Sequence, residues 1–160
     1  MTLDDLKYEH LTGRAFTGLG KQDCFDLCIH FFRDNFGIEI PNFARPNDWE
    51  SDKLDLIPLL APKAGFIRLD EWSPRDLRPA DVLCLAIGES KPNHFAINLG
   101  TGQILHHLYG RYSATDEFRE IWRKRTAYVL RHRDVPDLRP VYPDVSVKEL
   151  LDARIAPPNG

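Results

Sequence analysis

The segment from Asp23 to Gly37 constrains the fold most, because it carries the clearest helical pattern in the chain. Its apolar residues recur at the spacing of one helical face, and they are Cys24, Leu27, Cys28, Phe31 and Phe32. Asp23 is a favourable N-cap, and Gly37 is a favourable C-terminal stop. The pattern predicts a helix over 23–36 that buries one face and carries Cys24 at its first position.

The rest of the chain is richer in strand signals. Four segments beyond the turn at Ser73-Pro74 have strand character: 81–87, 93–99, 103–108 and 126–132. A shorter strand is predicted at 64–69, and the weaker helical patterns lie at 3–9, 50–60, 114–123 and 146–154. A strong helix followed by adjacent strands predicts an α+β fold, in which the N-terminal helix packs on a mostly antiparallel sheet.

Length and composition fit one globular domain with a tail. The 160 residues are 42% hydrophobic and 28% charged, which is enough to build a core without disulfides. Residues 1–135 are predicted to form the domain. Residues 136–160 hold five of the twelve prolines and are predicted to be a C-terminal extension that packs on the surface or reaches a partner.

Charge and hydropathy exclude several classes of protein. A net charge of −3 is unlike that of a strongly basic nucleic-acid binder, so no nucleic-acid partner is expected. No apolar stretch approaches the length of a transmembrane helix, so no membrane insertion is expected. The first ten residues are acidic where a signal peptide needs a basic start and an apolar run, which predicts a chain without a signal peptide that folds in a cytoplasm.

The three cysteines have unequal surroundings in the sequence. Without an export signal, a disulfide framework is disfavoured, and Cys84 lies in an apolar run that predicts simple burial. Cys24 is different, because a helix amino terminus stabilises a thiolate and lowers the pKa of a thiol. The glycines at positions 18 and 20 let another group approach closely. Cys24 is therefore the best nucleophile candidate, with burial on the apolar face as the alternative.

Two histidines are predicted to share one face of a hairpin. Residues 93–99 alternate, so that His94 and Ala96 point to the same side. A three-residue loop would place Ala96 opposite His106, which makes His94 and His106 diagonal neighbours about 7 Å apart at the backbone. A two-residue loop would bring His107 to that face instead. Gly102 stands where a three-residue loop needs a left-handed residue, which favours His106.

These residues form a recognisable catalytic set. A cysteine with a histidine in reach gives an activated thiol, and a third polar group holds the imidazole in its useful tautomer. We therefore assign Cys24 as nucleophile, His94 as base and His106 as the orienting partner. A zinc site made of these three and Cys28 is the alternative from the same residues. It is disfavoured because both cysteines lie in one helix and no second cysteine pair follows.

Several motifs resemble one family in order and spacing. Asp23-Cys24-Phe25-Asp26-Leu27 resembles the start of a catalytic helix in the NlpC family of cysteine peptidases. The run from Asn93 to Gly102 resembles its histidine strand and turn, and His106 follows His94 at the family's spacing of twelve residues. The resemblance spans residues 8–133. Its phage tail-assembly branch is matched further by residues 79–83 and 122–126.

The resemblance implies a papain-like α+β fold of the NlpC type that needs no metal or other cofactor. It implies hydrolysis of peptide bonds in the stem peptides of peptidoglycan through an acyl-enzyme on Cys24, with His94 and His106 completing the triad. For the phage branch, it implies a role in tail-tip assembly with local wall digestion, and other tail proteins as partners. The expected location is the host cytoplasm during assembly, with the virion tail tip as a second location.

One departure from the family keeps a second interpretation open. Many members carry a tyrosine upstream of the cysteine that helps to stabilise the oxyanion, whereas the nearest aromatic residue here is Phe16. Loss of one such donor costs about 2.7–4 kcal/mol of barrier lowering. The alternative is a structural tail-assembly protein with the same fold and little activity. Phe16, Tyr109 and Arg111 are the predicted substrate-contact residues.

Overall fold

A computed structural model describes residues 1–43 and 56–141, together with Ser146, Lys148 and Leu151. The predicted helix at 146–154 and residues 50–55 of the helix predicted at 50–60 lie outside the two continuous ranges. The division into a domain at 1–135 and an extension at 136–160 stays a prediction. No helix in the described ranges is long and apolar enough to cross a lipid bilayer.

The cysteine-bearing helix forms as predicted. Helix α1 spans Cys24–Phe36, and the Asp23 side chain accepts hydrogen bonds from the backbone N–H groups of Phe25 and Asp26 at its start. At its end, Gly37 adopts a left-handed conformation with φ of 65°, which a residue with a Cβ takes at a steric cost. Both helix ends are therefore encoded by single local residues.

The strands form one antiparallel sheet. Within the described ranges they are β1 (Phe66–Leu69), β2 (Val82–Leu85), β3 (His94–Asn98), β4 (Gln103–His106), β5 (Ala114–Glu117) and β6 (Thr126–His132). Their order across the sheet is β1-β6-β2-β3-β4-β5, and every neighbouring pair is antiparallel. The predicted α+β class with a helix on an antiparallel sheet is confirmed.

Two helix predictions were wrong in type or extent. Residues 3–9 contain a 3-10 turn at Leu3–Asp5, and a second turn follows at Glu9–Leu11. The described part of the helix predicted at 50–60 forms α2 (Leu56–Leu60). The helix predicted at 114–123 begins only at Glu120, where α3 spans Glu120–Arg125, because Ala114–Glu117 forms β5. Pairing with β4 gives these four residues long-range backbone hydrogen bonds, and this tertiary context overrides their local preference.

The two faces of the sheet pack against different partners. The apolar face of α1 packs on one face, where Leu27, Phe31 and Phe32 belong to the same buried cluster as Phe95 and Ile97 of β3. The opposite face holds a smaller cluster, whose buried members are Leu77, Leu83, Leu85, Ala96, Ile104, Phe118 and Val129. Cys84 is completely buried in the core, as its apolar context predicts.

An ion pair joins the start of β2 to β6. Arg131 donates from Nε and Nη2 to the two carboxylate oxygens of Asp81 at 2.8 and 2.7 Å, and the backbone N–H of Arg78 donates to the same carboxylate. The hydrogen bond from Arg131 raises the pKa of its guanidinium against the effect of burial. Because the Asp81 carboxylate is almost completely buried, it depends on these donors.

We predict that Arg131→Ala lowers the free energy of unfolding by about 3 kcal/mol, because it leaves the buried Asp81 carboxylate without its charged partner. Urea denaturation at neutral pH measures this. Lys124→Ala removes an exposed cation from α3 and serves as the matched control, with an expected change below about 1 kcal/mol. Equal stability losses in the two variants would contradict the structural role of the Asp81–Arg131 pair.

Candidate active site

Cys24 occupies the first position of α1, as predicted. The residue is 7% exposed, and the neighbouring Asp23 is more deeply buried. Besides capping the helix, the Asp23 carboxylate accepts a hydrogen bond of 2.7 Å from the backbone N–H of Gly20. The glycine-containing loop therefore folds back onto the helix start and fixes the approach to Cys24.

The predicted pair of histidines is in contact. The hairpin has the predicted register, with Ala96 opposite His106, and it is closed by a hydrogen bond from the Leu99 N–H to the Gln103 carbonyl. His94 Nε2 lies 3.2 Å from His106 Nδ1, and both side chains are buried. Since this contact uses Nε2 of His94, the other nitrogen of that ring, Nδ1, points away from His106.

His106 has two further partners that the sequence analysis did not assign to the site. Its Nε2 lies 3.0 Å from Asp116 Oδ2 on β5, and the Trp122 ring of α3 meets its ring edge-on with 5.0 Å between centroids. Asp116 was missed because 114–123 was predicted to be helical. Had the segment been recognised as a strand, the pairing of Asp116 with Ile104 would have placed it diagonally from His106 on the same face.

Burial keeps both imidazoles neutral. Burial, with a smaller effect from the nearby His106 and His107, lowers the pKa of His94 to about 3. Burial also lowers the pKa of His106, although the hydrogen bond to Asp116 opposes this effect. At neutral pH both rings therefore carry one N–H and one unprotonated nitrogen, so each can accept one proton and donate another.

The start of α1 lies next to the start of β3. Phe25 and Phe95 directly follow Cys24 and His94, and their ring centroids are 5.8 Å apart. Alternation along β3 turns His94 away from the face on which Phe95 meets the helix, toward the face that carries Ala96. The structure therefore joins His94 to His106 directly and brings Phe25, the residue after Cys24, into contact with Phe95 of β3.

The predicted substrate-contact residues group around His107. The ring of Phe16 packs on Tyr109 at 4.7 Å and meets His107 edge-on at 5.7 Å between centroids. Arg111 contributes its backbone carbonyl, which accepts a hydrogen bond from His107 Nε2. The carboxylates of Asp23 and Asp26 act electrostatically on His107, so this cluster lies near the start of α1. Tyr109 is largely exposed there.

The ligand set of the zinc alternative is not assembled. In the ranges that the structure describes, no three histidine, cysteine or acidic side chains are placed to hold a metal ion. Cys28 instead lines an apolar cavity of about 60 Å³, to which Phe25 and Phe95 also contribute. Its surroundings are hydrophobic throughout, which suits a buried thiol better than a charged metal site.

Comparison with known proteins identifies the family. The sequence matches the NlpC/P60 family over residues 7–131. The chain belongs to the NlpC/P60 family. It is 36% identical over 127 residues to the tail tip assembly protein K of Escherichia phage lambda, and 29% identical over 119 residues to that of Escherichia phage N15. These matches cover 78% and 73% of this chain but only 60% and 47% of the two relatives.

Family membership and the observed architecture agree. The helix that begins at Cys24 and the six-stranded antiparallel sheet correspond to the NlpC-type, papain-like α+β fold that the motifs predicted. The family match includes Cys24, His94 and His106 within its bounds. The catalytic roles of these three residues stay predictions.

The buried neutral state of His94 predicts acid sensitivity. The folded protein keeps this imidazole unprotonated down to about pH 3, whereas an unfolded chain protonates it below about pH 6.5. The free energy of unfolding should therefore fall as the pH drops from 6.5 toward 3, by up to about 1.4 kcal/mol per pH unit from His94 alone. His94→Gln should remove this contribution, which urea denaturation at a series of pH values measures.

Thr101→Ser is the control, because Thr101 is exposed in the loop between β3 and β4 and carries no titratable group. This variant should keep the pH slope of the native protein. A His94→Gln variant with the same slope as the native protein between pH 6.5 and 4 would show that the His94 ring is not held neutral by burial.

Proposed function

We propose that this chain is a cysteine hydrolase that acts in phage tail assembly and cleaves a peptide bond in peptidoglycan stem peptides. The observation that carries the proposal is the buried hydrogen bond between His94 and His106, together with the contact between Phe25 and Phe95, the residues that follow Cys24 and His94. A paired imidazole next to a thiol at a helix amino terminus is the arrangement that acyl transfer through a cysteine needs.

In the proposed reaction, Cys24 Sγ attacks the carbonyl carbon of the scissile amide while its proton passes to His94 Nδ1. The tetrahedral intermediate collapses when His94 returns this proton to the leaving nitrogen, which departs as an amine and leaves a thioester on Cys24. A water molecule then attacks the thioester with His94 again taking the proton. Collapse of the second intermediate, in which His94 returns this proton to Cys24 Sγ, releases the carboxylic acid and restores the thiol.

The resting state in this proposal is a neutral thiol beside a neutral imidazole. Burial lowers the pKa of His94 to about 3, so an imidazolium partner for a thiolate is disfavoured before substrate binds. His94 therefore acts as a general base during the attack. The contact between Phe25 and Phe95, one residue further along each element, supports a position of the thiol near the start of β3.

The biological setting is proposed from the relatives. Both are named tail tip assembly protein K, and both are longer than the part that this chain matches. We place this chain among the proteins that assemble a phage tail tip, in the host cytoplasm during assembly and then in the tail tip. There, hydrolysis of stem peptides would open the cell wall locally. Other tail-tip proteins are its proposed partners.

Cys24→Ala should abolish hydrolysis of purified peptidoglycan fragments, because it removes the nucleophile and leaves the fold intact. Chromatography of the released peptides with mass spectrometry measures this. Cys84→Ala is the control at another buried cysteine and should keep near-native activity per folded molecule. Equal loss of activity in both variants, with folding verified by circular dichroism, would count against Cys24 as the nucleophile.

A structural tail-assembly role without catalysis is the second candidate. It is favoured by Phe16, which has no hydroxyl to stabilise an oxyanion, and by the low exposure of Cys24. A phage that carries Cys24→Ala separates the two. If catalysis serves infection, particles should form with normal tails but lose infectivity on cells with an intact wall. Full infectivity of the variant phage would favour the structural role.

A further inference from the structure

The hydrogen-bond chain at His106 does not end at His94. His106 Nδ1 faces His94 Nε2 at 3.2 Å, and on the other side of the ring His106 Nε2 faces Asp116 Oδ2 at 3.0 Å. The three side chains come from β3, β4 and β5, which are consecutive strands of the sheet. His106 is 2% exposed and Asp116 is 46% exposed, so the chain runs from the protein interior to the surface.

The direction of this chain follows from which groups can donate. An ionised carboxylate only accepts hydrogen bonds, so the nitrogen that faces Asp116 must carry the proton of His106. A neutral His106 that is protonated at Nε2 has an unprotonated Nδ1, which can accept a hydrogen bond from His94. His94 must then donate from Nε2, and a neutral His94 protonated at Nε2 has an unprotonated Nδ1.

The opposite placement of the protons on His106 and His94 would prevent His94 from acting as a base. If the proton of His106 were at Nδ1, it would be donated to His94 Nε2, and the proton of a neutral His94 would lie on Nδ1. That nitrogen could then accept nothing from a thiol. The hydrogen bond between the two imidazoles is compatible with both directions, so it cannot select between them by itself. Only a group beyond His106 that strictly accepts can make the selection.

We propose that Asp116 is a positioning residue that fixes His106 as the Nε2–H tautomer and thereby leaves His94 Nδ1 free to accept the proton of Cys24. The site is then a four-membered chain of Cys24, His94, His106 and Asp116 instead of a triad. Trp122 packs edge-on against the His106 ring, which limits rotation of the imidazole away from this alignment. The consequence for catalysis rests on the proposed function, whereas the tautomer assignment stands on geometry alone.

The tautomers can be read directly by long-range ¹H–¹⁵N correlation spectra of the ¹⁵N-labelled full chain, which distinguish protonated from unprotonated imidazole nitrogens. Native protein at neutral pH should show Nε2–H for both His94 and His106. Asp116→Ala should populate the Nδ1–H tautomer of both rings. Asp116→Asn should largely restore the native pattern, because its amide oxygen can accept from His106 Nε2.

The same variants are then assayed on peptidoglycan fragments. Asp116→Ala should lower kcat about tenfold with little change in KM, because Asp116 acts through His106 and does not contact the substrate. Asp116→Asn should recover part of this loss. Glu117→Ala is the matched control: it lies next on β5, pairs with Arg119 at the surface and should change neither the spectra nor kcat.

The outcomes separate this proposal from the proposed function. Unchanged histidine spectra in Asp116→Ala overturn the proposal, whatever the activity. Altered spectra with unchanged kcat in an active enzyme overturn the catalytic consequence. If the native chain hydrolyses nothing and the spectra still change as expected, the proposed function fails while the positioning role of Asp116 is supported. A purely structural role of Asp116 would lower thermal stability without moving the tautomer signals.

Discussion

The hydrogen bond between His94 and His106 depends on the register of a single hairpin, and the rest of the site depends on that hydrogen bond. Gly102 closes the hairpin with φ of 81°, a conformation that glycine adopts without steric cost. A slip of one residue would turn His106 to the opposite face and bring His107 toward His94. The three-residue loop is therefore as much a part of the site as the imidazoles.

The two faces of the sheet have different roles, one in the stability of the fold and the other in the candidate site. One face receives α1 and holds the larger apolar cluster, which fixes the helix and therefore the position of Cys24. The other face carries His94 and His106 together with Asp116 and Trp122. Since the helix and the histidines use opposite faces, the thiol and the base can meet only near the start of β3. The geometry of this strand end then determines whether the chain can act as a hydrolase.

The features of the fold that could be predicted are those with local causes. The bounds of α1 follow from Asp23 and Gly37, each of which acts within one turn of the helix. The register of the β3–β4 hairpin follows from loop length and Gly102, again within a few residues. The family motifs predicted the rest of the architecture, an NlpC-type fold, and the family match supports that fold.

What could not be predicted depends on contacts between distant segments. Residues 114–117 form a strand because they pair with β4. The local sequence pattern favoured a helix there, so the position of Asp116 near His106 was not predicted. The low pKa of His94 arises from burial, which no local pattern reveals. The 7% exposure of Cys24 likewise results from packing between distant segments, which no local pattern reveals.

The most direct test of this account is the rate at which iodoacetamide alkylates each cysteine of the native protein, mapped by peptide mass spectrometry. The account predicts that Cys24 is modified before Cys28 and Cys84. It also predicts that His94→Gln slows the modification of Cys24 about tenfold, because the base that removes the thiol proton is lost. Equal rates for Cys24 in both proteins, or faster modification of Cys28 or Cys84, would contradict a thiol activated by His94.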